Sequence, residues 1–327
     1  MKKILVTGGA GYVGSVTVEL MVTQGLEVVV LDNLAEGHAD AVPHHVPLLE
    51  ADLTDRDATR NVFSKFEIDS VIHLAALALV EESVREPARY YRNNVAGFLT
   101  LLDTMLEFGV EKIIFSSSAA VYGVPDEVPI REGSTPIPLN PYGQTKLIGE
   151  RILEDYFRAY GLASVSLRYF NVAGASAERG EHHRNESHLV PRVLQVALGL
   201  RPHVEIYGTD YATPDGTCIR DYIHVLDVAQ AHVLALHHTA DGTIATYNLG
   251  NSKGYSVREV ISCAEAVAGN KIPSVEYPRR PGDPPSLVAS FEKISQQLGW
   301  QPKRSRLKQI IESAWHWHSR YSSGYAR

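Results

Sequence analysis

In the stretch Asn140-Pro141-Tyr142-Gly143-Gln144-Thr145-Lys146, a phenol and an ammonium stand four residues apart. Asn140 is a helix-capping residue type, and Pro141 suits a first helical position, where a backbone N–H would have no intrahelical partner. In the helix these two predict, Tyr142 and Lys146 lie on one face. A phenol alone ionises near pH 10 and is a poor base at neutrality. An ammonium close by favours the phenolate and moves Tyr142 toward a useful pKa. The same spacing occurs on ordinary surface helices, so the chemistry depends on what the rest of the chain places beside it.

A second constellation lies at the start of the chain. Residues 4–7 read as a short, buried parallel strand. They lead into Gly8-Gly9-Ala10-Gly11-Tyr12-Val13-Gly14, and a helical pattern follows to about Gln24, with Gly25 as its stop. Glycines at this spacing let the backbone turn sharply and approach a pyrophosphate, which then sits at the helix N-terminus. A second strand over 27–31 ends in Asp32, 18 residues beyond Gly14. A carboxylate there accepts both ribose hydroxyls of adenosine and repels a 2′-phosphate, and no arginine adjoins it in Asp32-Asn33-Leu34. The combination predicts NAD rather than NADP.

The elements that must position these groups alternate as strand and helix, the pattern of a doubly wound α/β fold built on a parallel (Rossmann) sheet. Residues 48–53 predict strand three, with Asp52 near its end as a contact to the adenine amine. Residues 71–74 predict strand four, opening into Ala75 and Ala76, which are small enough for a cofactor to lie close to the backbone. His73 in that strand reads as a core histidine. A long helix is expected over 87–108, stopped by Gly109. Strand five, over 112–115, runs into Ser116-Ser117-Ser118-Ala119-Ala120-Val121-Tyr122-Gly123. Serines at a strand's carboxyl end lie where open α/β sheets bind ligands. A loop with prolines at 125, 129, 136 and 138 then returns the chain to Tyr142. After Gly174 the rhythm breaks into shorter elements. The expected division is a nucleotide-binding domain over 1–174, to which some later strands and helices return, and a smaller, mainly substrate-binding C-terminal domain over 175–327.

Composition narrows the class. A length of 327 residues, 44% hydrophobic and 21% charged, is ordinary for a globular protein with ample core. A formal charge of −7 argues against nucleic-acid or anionic-membrane binding, so an anionic ligand must be met by local positive groups. Cys218 and Cys263 make neither a metal spacing nor a disulfide framework and point to a reducing, cytoplasmic location. No apolar run is long enough to span a bilayer. The histidine pairs His182-His183 and His237-His238 and the run Trp315-His316-Trp317-His318 lack a metal-site pattern and read as surface or helix-packing residues, so no metal is expected.

Taken in order, the glycine turn, the acid after strand two, Phe115 to Gly123 and Pro141 to Lys146 resemble the extended short-chain dehydrogenase/reductase family, and within it the UDP-glucose (UDP-galactose) 4-epimerases. The likeness runs through Leu167-Arg168-Tyr169-Phe170-Asn171-Val172-Ala173-Gly174, through residues 215–225 and through Arg279-Arg280-Pro281-Gly282-Asp283. It implies an enzyme that interconverts UDP-hexoses by oxidation at C4 with NAD, rotation of the 4-keto intermediate and re-reduction. N-acetylated UDP-sugars are a further substrate class that it leaves open.

The resemblance also implies site residues. Ser118 would be the active-site serine, Tyr142 the general base and acid, and Lys146 the cation that tunes it. Cofactor contacts would come from Gly8, Gly11, Tyr12, Val13, Gly14, Asp32, Asn33, Asp52, Leu53, Leu74, Ala75, Ala76, Asn93, Ser116, Tyr142, Lys146 and Tyr169. The UDP-sugar would meet Ser118, Tyr142, Asn171, His188, Leu189, Tyr207, Arg220, Arg280, Asp283 and Leu287. Arg220 and Arg280 match diphosphate arginines, which suits a fork of N–H donors on phosphate oxygens. A homodimer through residues 94–108 and 142–160 is also implied. Three departures stand out: Ala78 occupies a position where some relatives have lysine, Val172 one where some have proline, and His188 one where they often have asparagine.

Two other readings share parts of this pattern. A sugar-nucleotide 4,6-dehydratase or uronate decarboxylase/epimerase shares the first oxidation, but a dehydratase places an Asp-Glu pair just after the serine region, where this chain has Ala119-Ala120. A non-catalytic NAD-sensing protein usually lacks the tyrosine or the lysine, and this chain keeps both.

Overall fold

Runs that are apolar on both faces, such as Val28 to Leu31, can be satisfied only as strands covered on two sides. In the computed structural model, which describes residues 2–239, 242–280 and 282–325, they become the inner strands of a seven-stranded sheet. Its first half comprises β1 (Lys3–Thr7), α1 (Tyr12–Thr23), β2 (Val28–Asp32), β3 (Leu48–Glu50), α2 (Arg56–Lys65), β4 (Ile68–His73), α3 (Val80–Arg85), α4 (Pro87–Tyr91), α5 (Gly97–Glu107), β5 (Lys112–Ser118), α6 (Pro141–Tyr160) and β6 (Ala163–Tyr169). The second half comprises β7 (Asn171–Ala173), α7 (Leu189–Ala197), β8 (Val204–Tyr207), β9 (Ile219–His224), α8 (Val225–His238), β10 (Ile244–Leu249), β11 (Gly254–Ser256), α9 (Val257–Ala268), β12 (Ser274–Tyr277), β13 (Ser286–Leu287), α10 (Glu292–Leu298) and α11 (Leu307–Arg320).

The sheet order is β10-β6-β5-β4-β1-β2-β3, with parallel pairing along β3, β2, β1, β4 and β5. The fold is therefore the expected doubly wound α/β architecture. The chain forms two interleaved compact units: Met1–Tyr122, Thr135–Arg168 and Ala229–Tyr247 make one, and Gly123–Ser134, Tyr169–Val228 and Asn248–Arg327 make the other. The first unit packs Leu5, Val29, Val71, Phe98, Leu101, Ile113 and Leu153 into its core. In the second, β11, β9 and β13 form a sheet with β7 also on β9, β12 pairs with β8, and α7, α9 and α11 pack around Val193, Val260, Ile261 and Ile310. Among the described residues, no helix is long and apolar enough to cross a membrane.

Three of the differences from expectation have a local reason. Strand three stops at Glu50 instead of reaching Leu53, because Asp52 Oδ1 accepts the Thr54 N–H at 2.8 Å and its hydroxyl at 2.6 Å, closing a turn. Strand five continues through Ser118, so all three serines are strand residues. The helix expected over 87–108 is interrupted by a π turn at Arg92–Ala96. There Asn94 turns inward, accepting the Leu77 N–H at 2.9 Å and donating to Leu77 O at 3.0 Å and Thr145 Oγ1 at 3.1 Å.

Helix α6 lies against β5 and the turn that follows it because it presents glycines to them. A Cβ on Gly143 would sit 2.4 Å from Ala120 O, and one on Gly149 would sit 2.5 Å from the Phe115 ring. Gly149→Ala should therefore destabilise the protein by about 1–3 kcal/mol, the usual cost of overpacking a filled core. Urea unfolding measures this, and an unchanged midpoint would mean that α6 has room to retreat from β5.

Candidate active site

Asn140 starts α6 as expected: its Oδ1 accepts the Gly143 N–H at 2.9 Å, and Pro141 occupies the first turn. The cap fixes the helix start, so Tyr142 and Lys146, one turn apart, face the carboxyl end of β5. Ser118, the last residue of β5, accepts the Ala120 N–H on its Oγ at 3.1 Å and hydrogen-bonds the Tyr142 phenol. Lys146 Nζ donates to Ser116 O at 2.7 Å and stands 5.9 Å from the centre of the Tyr142 ring. The structure thus brings Ser116, Ser118, Tyr142 and Lys146 together.

The electrostatics correct the sequence expectation. Burial pushes the Tyr142 phenol up, and the Ser118 hydrogen bond only partly opposes it. Lys146 is 3% exposed, and burial pushes its ammonium down to about 7 against the attraction of Glu150. The ammonium is committed to a backbone carbonyl and leaves the phenol above its ordinary value.

Beneath Lys146 lies a buried polar network that sequence reasoning missed. Glu150 accepts from Arg168 Nε at 2.9 Å and Nη2 at 2.6 Å and from Ser117 Oγ at 2.5 Å, while Arg168 Nη1 donates to the Tyr122 hydroxyl at 2.7 Å. The one available signal was Glu150 standing four residues after Lys146, on the same helix face. Asn94 was missed as well, its neighbour Asn93 having been read as the contact; the Asn93 side chain donates to Asn94 Oδ1 at 2.9 Å.

The glycine turn after β1 fits a dinucleotide. Gly8 has φ +73° and approaches the Leu74–Ala75 backbone so closely that a Cβ would lie 2.5 Å from Ala75 N. A Cβ on Gly14 would lie 2.1 Å from Gly8 O. Gly11 begins α1 without any side-chain cap, which suits an anionic group at the helix N-terminus. Asp32, at the end of β2, is 8% exposed and accepts from Ala10 N and Leu34 N, each at 2.9 Å. Burial raises its pKa, while those two N–H groups hold it down. Asn33 Nδ2 donates to Asp52 Oδ2 at 2.8 Å, joining the ends of β2 and β3 beside Leu53. Ala78 is exposed, and Tyr169 closes β6. His73 is a core residue as expected, bonded through Nδ1 to Thr7 Oγ1 at 2.7 Å and stacked on Phe98.

In the second unit Arg220 pairs with Asp283 and donates through Nη1 to Ile219 O at 2.8 Å and Pro284 O at 2.9 Å. The Arg280 guanidinium lies over the Tyr207 ring, 3.9 Å from its centre. Pro281, within that motif, lies outside the described residues. Leu287 is half-buried on β13 in register with Arg220. Asn171 is exposed on β7, and Leu189 opens α7 directly after His188. His183, expected to be an ordinary surface residue, instead stands with Glu181, Glu186 and His188 in one cluster.

The chain is similar over nearly its whole length to known proteins. Residues 4–250 match the model of the NAD dependent epimerase/dehydratase family. A UDP-glucose 4-epimerase of Halalkalibacterium halodurans is 53% identical over 99% of this chain and 97% of its own. The structure of a UDP-glucose 4-epimerase from Bifidobacterium longum in complex with NAD+ and UDP superposes with TM-score 0.95 at 39% identity, covering 99% of this chain and 100% of that one. A UDP-Glc/GlcNAc 4-epimerase from Campylobacter jejuni gives TM-score 0.86 at 38% identity, covering 98% and 100%.

The depressed Lys146 has a measurable consequence. Its folded pKa of about 7 lies below the ordinary lysine value near 10.4, so between the two the unfolded chain binds more protons. Its contribution to stability therefore rises with pH across that window. Relative to Lys146→Met, the wild type without bound nucleotide should gain at most about 1.4 kcal/mol per pH unit between pH 7 and 10. Urea unfolding of both proteins across that range checks this, and parallel curves would mean that the buried amine keeps its ordinary pKa.

Proposed function

The chain belongs to the NAD dependent epimerase/dehydratase family, and we propose that within it the protein interconverts UDP-glucose and UDP-galactose. The observation that carries this reading is the Ser118–Tyr142 hydrogen bond with Lys146 fixed on Ser116 O, in the same unit as a glycine turn that admits no side chain. NAD is the family's cofactor and, when bound, supplies a reversible two-electron acceptor for C4 of the sugar. Gly8, Gly11 and Gly14 with the start of α1 would hold its pyrophosphate, and Asp32 its adenosine ribose.

Tyr142, as phenolate, takes the proton of the sugar 4-hydroxyl and returns it when the ketone is reduced again. Ser118 hydrogen-bonds the same oxygen and relays the proton. Lys146 supplies positive charge and, through Ser116 O, holds α6 to the strand that carries Ser118. Between the two half-reactions the 4-keto sugar turns over. Arg220, Arg280 and Asp283 are assigned to the diphosphate and uridine ribose, and Asn171, His188, Leu189 and Tyr207 to the remaining contacts. Binding energy from the UDP end keeps the substrate anchored while the reacting ring is loose. Cys218 and Cys263, both free, support a cytoplasmic location. The resemblance points to a homodimer through residues 94–108 and 142–160, where Phe108 and Tyr160 are exposed.

Tyr142→Phe should retain the fold and bound NAD while losing roughly 10²–10⁴-fold in interconversion of the two UDP-hexoses. Chromatography of the products, with mass identification of the nucleotide released by acid, measures both. A near wild-type rate across pH 6–9 would remove Tyr142 from the mechanism.

Leu287 governs substrate breadth in this reading. Its side chain is smaller than a tyrosine and brings no hydroxyl to the sugar pocket assigned to it, which favours room for an acetamido group. UDP-N-acetylglucosamine and UDP-N-acetylgalactosamine should then be substrates. Leu287→Tyr should lose them selectively by roughly 5- to 200-fold in kcat/KM, the rate equivalent of about 1–3 kcal/mol of steric conflict. Equal effects on the plain and acetylated pairs would mean that Leu287 does not face the sugar.

A further inference from the structure

In the second unit, the chain leading into α7 carries Glu181, His183, Glu186 and His188, each offering one ligand atom, and these atoms all lie within 4.8 Å of one another. His188 Nδ1 is 3.0 Å from Glu181 Oε1 and 3.1 Å from Glu186 Oε1, and His183 Nε2 is 3.4 Å from Glu181 Oε1. We infer that Glu181, His183, Glu186 and His188 form a binding site for a divalent transition metal of the zinc type. Two imidazole nitrogens and two carboxylate oxygens are a borderline donor set that suits Zn²⁺ in tetrahedral coordination. With metal–donor distances near 2.0–2.2 Å, the edges of such a tetrahedron are about 3.4 Å. The closest contacts in the cluster already fall near that length.

The site is built rather than a chance meeting of surface groups. Glu181 is 5% exposed, and the residue before it is pinned: a Cβ on Gly180 would lie 2.3 Å from the Trp317 ring, and the Tyr325 hydroxyl bonds Gly180 N at 3.1 Å and O at 3.2 Å. At the other end His188 is the cap residue of α7, and its N–H donates to Glu186 Oε1 at 2.8 Å. His183 and His188 remain partly open, which provides the path of entry. A zinc ion there would meet both carboxylates and would brace the segment that leads into His188 and Leu189.

The test uses full-length, tag-free protein dialysed against Zn²⁺ and then against metal-free buffer, with zinc counted by atomic emission. Co²⁺ in place of zinc reports coordination by its visible absorption. One equivalent per chain and an intense four-coordinate Co²⁺ spectrum are expected. Even losing a partner of a ligand costs 10–100-fold in affinity at metal sites, so His183→Gln and Glu186→Gln should each weaken binding by more than about tenfold. Retained NAD and an unchanged unfolding midpoint show that each variant is folded. Failure to retain zinc, or equal retention by wild type and both folded variants, overturns the assignment.

Discussion

An amine held almost without water at the end of a parallel strand is the constraint on which the first unit turns. A buried ammonium is costly unless it is paired and hydrogen-bonded. Lys146 has one strong acceptor, Ser116 O, and one anion a helical turn away, Glu150. Glu150 cannot serve Lys146 alone, because its two oxygens are held by the Arg168 fork and Ser117. Arg168 in turn spends a donor on Tyr122. The network therefore ties β5, α6 and β6 together, and removing any member leaves a charge or a donor stranded where solvent cannot reach it. It can exist only because Gly143 and Gly149 let α6 come to within side-chain reach of β5.

The glycine turn after β1 obeys the same geometric logic with the opposite purpose. Around α6, missing side chains let protein groups meet each other; around Gly8 and Gly14 they bring backbone N–H groups to a surface where nothing else can stand. This matters in a protein whose formal charge is −7. The overall field repels an anionic ligand, so attraction must come from dipoles and guanidinium groups at contact distance. In the proposed reading, the uncapped start of α1 and the arginines Arg220 and Arg280 would supply them. In the same reading Asp32 would act as a specificity element, since a carboxylate with both oxygens already engaged by N–H groups would accept ribose hydroxyls more readily than it would tolerate another anion.

Much of this arrangement is legible in the sequence, and what is legible is local. Asn140-Pro141 named a helix start and the structure places one there; the glycines and Asp32 named the turn and the strand end on either side of α1. Strand ends were less legible, because Asp52 closes its own turn on Thr54 and a three-residue competition decides where β3 stops. The interior polar groups were not legible at all. Asn94 bonds Thr145 across 51 residues, and Ser117 bonds Glu150 across 33. No periodicity encodes such pairs, and each member alone looks like an ordinary helix or strand residue. The Glu181 cluster escaped notice for a related reason. Its spacing follows an irregular segment shaped by Trp317 far along the chain, not one face of a helix where two histidines would stand a turn apart.

Spacing names Tyr142 and Lys146 as partners but does not say where the proton resides, and the enclosure answers differently from the sequence. Burial disfavours whichever form is charged, so it drives the phenol up and the amine down at once. Both groups are moved toward neutrality, and a phenolate beside an ammonium is the state that burial resists most. Ser118 is the one neighbour that works against this for the phenol, and Glu150 the one that works against it for the amine. Ionisation of Tyr142 is consequently not a standing property of the pair. It is a state that whatever shares the enclosure must stabilise, and in the proposed mechanism a hydroxyl aligned with Ser118 would meet the phenol at the place where that charge forms.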